Sequence, residues 1–111
     1  MLTRLDKTGK AQTELIMKTH VLLNSADNVV TALTELTTGD VLSIEHETGM
    51  QDVTLNDDIP YAHKFAFQPM SEGDPVIKYG EVIGLASQPI APGDWVHVHN
   101  VESARARGDV G

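Results

Sequence analysis

The sequence predicts a mainly β domain with one short helix. Three features carry that expectation. From Asp40 onward, short runs rich in Val, Ile, Leu and aromatic residues ("DVLSIEHE", "QDVTLND", "KFAFQPM", "DPVIKYG", "EVIGLAS", "DWVHVHNV") are separated by Gly, Pro, Asp and Asn. Runs of this length bounded by turn formers are the signature of strands. "VIKYGEVIG" has the form of a tight hairpin, with Tyr79-Gly80 as a two-residue turn and glycine where positive φ is wanted. Finally, "LTTGDVL", "MSEGDPV" and "IAPGDWV", at 36–42, 70–76 and 90–96, share apolar-x-x-Gly-Asp-x-apolar. That pattern describes a chain leaving the core, turning on glycine, capping the turn with aspartate and re-entering as a strand.

The elements follow in order. Residues 1–15 are polar and lack a clean period, which predicts an N-terminal arm. The folded domain is expected over 16–102 and a flexible tail over 103–111. "MKTHVLL" at 17–23 ends in a β-type run and is expected to be a strand carrying His20. "NSADNVVTALTEL" predicts the helix: Ser25 or Asp27 can serve as N-cap. Val29, Ala32, Leu33 and Leu36 fall at i, i+3, i+4, i+7, and Gly39 stands just past the end. In the last run, residues two apart share a face of a strand. Trp95, His97 and His99 would then point one way, with Val96 and Val98 in the core.

Composition narrows the function classes. The 111 residues fit one domain. A domain this small buries a core but not a spacious cavity, so a deep active site would need a second chain or domain. There is no cysteine, which removes disulfides, thiolate metal sites and a cysteine nucleophile, and is consistent with the cytoplasm. No signal peptide and no apolar run of membrane length is read. The formal charge of −8 argues against nucleic acid, whose phosphates need clustered Lys and Arg. On so acidic a chain, an anionic ligand would need a locally positive pocket built from few residues.

Three stretches could build one. In "HVHN", His97 and His99 stand roughly 7 Å apart along a strand, a workable spacing for two metal ligands that still lack a third. They could equally be a catalytic pair, or histidines on the wet face of a surface strand. In "DDIPYAHKFAF", His63 and Lys64 sit side by side after Pro60, suited to anion binding or proton transfer; the plainer alternative is a turn histidine and a solvated lysine. Lys78 stands beside the hairpin, and Arg105 and Arg107 lie in the tail, where arginine could clamp a carboxylate.

Together, "DNVVTAL", "IPYAHKFAF" and "GDPVIKYGEVIGLASQPIAPGDWVHVHNV" resemble the small SAF domain of the altronate dehydratase (altronate hydrolase) family, related to galactarate dehydratase and to the sulfolactate sulfo-lyase small subunit. The resemblance runs from about His20 to Asp109. Ala62 departs from it, standing where P-x-G-H-K would carry glycine. The resemblance implies a β-clip fold of short twisted strands. It implies a small subunit of a sugar-acid hydro-lyase, whose site is completed by a large catalytic subunit. The alternatives are the corresponding sulfo-lyase subunit and a non-catalytic module that binds sugar acids. It further implies a shared site at the interface with the large subunit that includes His63, Lys64, Lys78, His97, His99 and Asn100. Residue type then assigns His63, His97 and His99 as catalytic, and Lys64, Lys78, Asn100 and the tail residue Arg105 as substrate contacts. A divalent metal, iron or manganese, would be bound mainly by the large subunit, with His97 and His99 as this chain's candidate ligands. The expected partners are that large subunit and an anionic sugar acid, with no nucleic acid and no membrane; exposed strand edges would also let two copies pair.

Overall fold

The computed structural model describes residues 18–104. The arm expected over 1–15 and most of the expected tail, including Arg105 and Arg107, lie outside the described residues. The order is β1 (His20–Val21), β2 (Val29–Ala32), β3 (Val41–His46), β4 (Gly49–Thr54), β5 (Lys64–Ala66), β6 (Pro75–Lys78), β7 (Glu81–Ala86), β8 (Trp95–Val96) and β9 (Val101–Glu102). They form a four-stranded sheet β1-β2-β5-β8, the hairpin β3-β4 and a three-stranded sheet β6-β7-β9, with every pairing antiparallel. This is the mainly β, β-clip class the sequence predicts.

The predicted helix is not formed. Asn24–Leu36 holds a turn and the strand β2. A helical stripe would expose Val30 and bury Leu33, whereas Val30 is fully buried and Leu33 exposed. The energetics favour this outcome. Helix propensity separates ordinary residues by about 0.7 kcal/mol, while fully burying one valine is worth roughly 1.5–3 kcal/mol. A two-sided strand buries Val29 and Val30 on opposite faces. Asp27, one of the two N-cap candidates, and its neighbour Asn28 do other work. The buried Asp27 carboxylate accepts the backbone N–H groups of Tyr79 and Gly80, both at 2.8 Å. Asn28 donates to the Pro75 carbonyl and accepts from the Ile77 N–H. Both residues thus tie β2 to the hairpin β6-β7, whose turn has the expected positive φ at Gly80 (78°) and a positive φ at Tyr79 (57°) as well.

The Gly-Asp repeat is a turn of one construction. Asp40, Asp74 and Asp94 each donate their N–H to the carbonyl three residues back, at Thr37, Ser71 and Ala91. Each aspartate also accepts that same residue's N–H on Oδ2. Gly39, Gly73 and Gly93 supply the positive φ at the third position, as a type II turn requires. A fourth copy, not recognised in the sequence, is Ile59-Pro60-Tyr61-Ala62-His63-Lys64-Phe65. His63 N–H bonds Pro60 O at 3.0 Å, and Ala62 takes φ 71°. In all four, the third residue donates to a distant backbone carbonyl (Leu55, Ala32, Ala86 or Ala66), and that same residue's N–H returns to the fourth residue's carbonyl. The apolar residues leading into the turns pair off as Leu36↔Ile59 and Met70↔Ile90.

The core lies in two clusters. Val30, Ala32, Ile44, Leu55, Ile59, Phe65 and Phe67 belong to one; Val29, Ala66, Val76, Ala86, Ile90 and Val96 belong to the other. The central strands β2 and β5 contribute to both, so their backbones are held rigidly between two packed layers.

Candidate functional site and family membership

His63 owes its position to the fourth turn. In the other three copies the fourth residue must be able to cap the N–H of the first. Here the first residue is Pro60, which has no N–H, so nothing needs capping and the imidazole is released. His63 Nδ1 accepts the Trp95 indole N–H at 3.2 Å. Trp95 begins β8 and pairs with Phe65 across the sheet. The indole stacks on His97 with an interplanar angle of 8° and a centroid distance of 5.1 Å, and His99 lies 5.2 Å away on a tilted ring. His63 and His97 are 4.7 Å apart. The three histidines named in the sequence are therefore brought together, around a tryptophan to which the sequence reading gave no role.

The strand expected across "DWVHVHNV" stops at Val96. His97–Asn100 form a turn in which the Asn100 N–H bonds His97 O at 3.1 Å. Val96 is fully buried, but Val98 is 80% exposed and not in the core as expected. The turn wins because Asn100 closes it. Its Oδ1 accepts the His97 N–H at 2.9 Å and its Nδ2 donates to Trp95 O at 2.9 Å, and the side chain is buried. Asn100 thus holds backbone, where the sequence reading made it a substrate contact. His97 and His99 gather at one indole through a turn, not through strand alternation.

Lys64 on β5 is half-buried. Loss of water around its ammonium, and then repulsion from Lys78, hold its pKa below the ordinary lysine value. His97 is likewise held below the ordinary histidine value, first by desolvation, then by His63, Lys64 and His99. Lys64 thus lies in electrostatic reach of both Lys78 and His97. A cleft of about 280 Å³ adjoins it, lined by Lys64, Ile83, His97, Val98 and Val101 among others.

The other histidines stand apart. His20 engages Thr19 Oγ1 and the Ser43 carbonyl through its two ring nitrogens. His46 contacts Thr48 and the edge of Phe67. Among the described residues no group of three His, Asp or Glu side chains could hold a metal ion. The candidate pair His97 and His99 flanks an indole and gains no third protein ligand among the described residues. Among the described residues no helix is long and apolar enough to cross a membrane.

Residues 18–104 match the altronate/galactarate dehydratase SAF domain. The chain belongs to this family. The SAF domain is 39% identical over 87 residues to altronate dehydratase of Bacillus subtilis (strain 168), covering 78% of this chain. It is 39% identical over 84 residues to altronate dehydratase of Escherichia coli (strain K12), covering 76% of this chain. The matched SAF region spans only 17% and 16% of those two proteins. A (2R)-sulfolactate sulfo-lyase subunit alpha from Chromohalobacter salexigens is 46% identical over 59 residues, which is 50% of this chain and 63% of that subunit.

Proposed function

We propose that this chain is the small SAF subunit of a sugar-acid hydro-lyase of the altronate dehydratase type, working in the cytoplasm with a large subunit that completes its site. The observation that carries this reading is the convergence of His63, His97 and His99 around Trp95, with Lys64 in electrostatic reach of His97 and Lys78, on a chain of net charge −8.

Dehydration next to a carboxylate needs a base for the α-proton, positive charge or donors for the enolate-like oxygen, and an acid for the departing hydroxyl. Lys64, short of water, is poised to pair with the substrate carboxylate, and Lys78 adds to the field. His97, held below the ordinary histidine value by desolvation and its charged neighbours, favours the neutral form that can take a proton. His99, exposed on the same indole, can contact substrate or the partner. Arg105 is assigned a carboxylate contact on residue type alone. In this reading a divalent metal, iron or manganese, is held by the large subunit.

A second reading, the small subunit of a sulfo-lyase, has its own support. The chain covers 63% and 79% of two relatives named as sulfolactate sulfo-lyase alpha subunits, against 16–17% of the dehydratases. One set of assays separates the readings. The chain is co-purified with a co-encoded large subunit and offered altronate and (2R)-sulfolactate. Turnover of altronate by the pair and by neither chain alone is expected. His97→Ala and His99→Ala are run alongside; near-normal kcat/KM in both removes their catalytic assignment.

A further inference from the structure

Trp95 is fixed more firmly than a surface aromatic needs to be. Its backbone N–H donates to Asp57 Oδ2 at 3.0 Å, and its carbonyl accepts from Asn100 Nδ2 at 2.9 Å. One face of its indole is stacked on His97, and the residue packs against the core cluster that contains Phe65. The indole N–H therefore has a set direction, and it meets His63 Nδ1. An indole nitrogen can only donate, and a neutral imidazole carries one donor and one acceptor nitrogen.

We infer that Trp95 is a positioning residue that fixes His63 in the tautomer protonated on Nε2 and makes His63 the hydrogen-bond donor among the clustered imidazoles. Two further features agree. Pro60 frees His63 from the capping task its counterparts Asp40, Asp74 and Asp94 perform. The turn holding it is pinned to β2 by Ala62 N–H to Ala32 O and Ala32 N–H to His63 O, so the ring starts from a rigid backbone. A neutral Nε2–H gives a hydrogen bond to a developing oxyanion without surrendering its proton. The base is then the neighbouring His97, which this assignment distinguishes from His63. That functional consequence rests on the hydro-lyase reading; the tautomer does not.

The test has two parts. In nitrogen-15 spectra of the full-length chain, a coupling across the hydrogen bond between Trp95 Nε1 and His63 Nδ1 is expected. It should vanish in Trp95→Phe, which keeps a ring but no N–H. Absence of the coupling in the wild-type chain, or a proton on His63 Nδ1, overturns the inference. In the assembled enzyme, His63→Gln supplies an amide donor near the Nε2 position and is expected to stay within about tenfold of wild-type kcat. His63→Ala should lose about 10²–10³-fold, the usual cost of one oxyanion donor. Equal loss in both variants would mean that His63 moves a proton, and would overturn the donor role. No loss in either, with the coupling intact, would instead remove this site from the proposed reaction and leave the tautomer assignment standing.

Discussion

Ala62 holds a backbone conformation that L-residues avoid, with φ 71° at the third position of the fourth turn. The left-handed region costs a non-glycine residue about 1–2 kcal/mol, against roughly 0.5–1 kcal/mol of extra entropy for ordering glycine. Ala62→Gly is therefore expected to stabilise the chain by about 0.5–1 kcal/mol, seen as a higher denaturant midpoint at unchanged slope. The resemblance expected glycine here, and the φ value supplies the physical reason. Lys64 makes the opposite case, a residue costly to the fold. Lys64→Met removes a half-desolvated charge facing Lys78 and should raise stability by on the order of 0.5 kcal/mol after solvent screening. The same change should lower turnover of the assembled enzyme by roughly 10–100-fold, since a hydrogen bond to a charged group contributes about 1.5–3 kcal/mol. Thermal melts and initial rates on one preparation check both signs.

The repeated turn sets the element scale, and its copies are not equivalent under substitution. A Cβ at Gly39 (φ 93°) meets nothing within 4 Å, whereas one at Gly93 (φ 96°) would collide with the Thr54 backbone carbonyl oxygen. Gly39→Ala should cost about 1 kcal/mol, the conformational term alone. Gly93→Ala should cost at least about 2–3 kcal/mol, because strain and a backbone collision add. Equal costs by chemical denaturation would mean that the two turns are packed alike. Three copies were readable because glycine and aspartate are each required where they stand. The fourth was hidden because proline removed the need for aspartate and alanine tolerates the turn's φ. The helix expected over Asn24–Leu36 fails at this scale too. A 3.6-residue period was present in Val29, Ala32, Leu33 and Leu36, but Val30 and Asn28 have partners on other strands that no local window contains.

For the molecule as a whole, pH reports the site. His97 binds its proton less readily when folded than when unfolded. Between its lowered folded value and the ordinary value near 6.5, the unfolded chain therefore carries more protons. Stability must then rise with pH across that window and fall on acidification through it. His97→Gln should remove this part of the pH dependence of unfolding. An unchanged profile would show that the ring titrates normally. Residue type singled out His63, Lys64, Lys78, His97 and His99 as candidates, and the β class, the hairpin at Tyr79-Gly80 and three of the four turns were legible in the chain, because each rests on residue type or on spacing within a few positions. The centre of the site was not. Trp95 joins His63 from 32 residues away, Asp57 reaches Trp95 from 38, and Asn100 turned out to hold a turn. Local chemistry could name which side chains were worth watching. Which of them meet depended on long-range strand pairing, which brings β5 and β8 together and is driven by burial on both faces of β2 and β5.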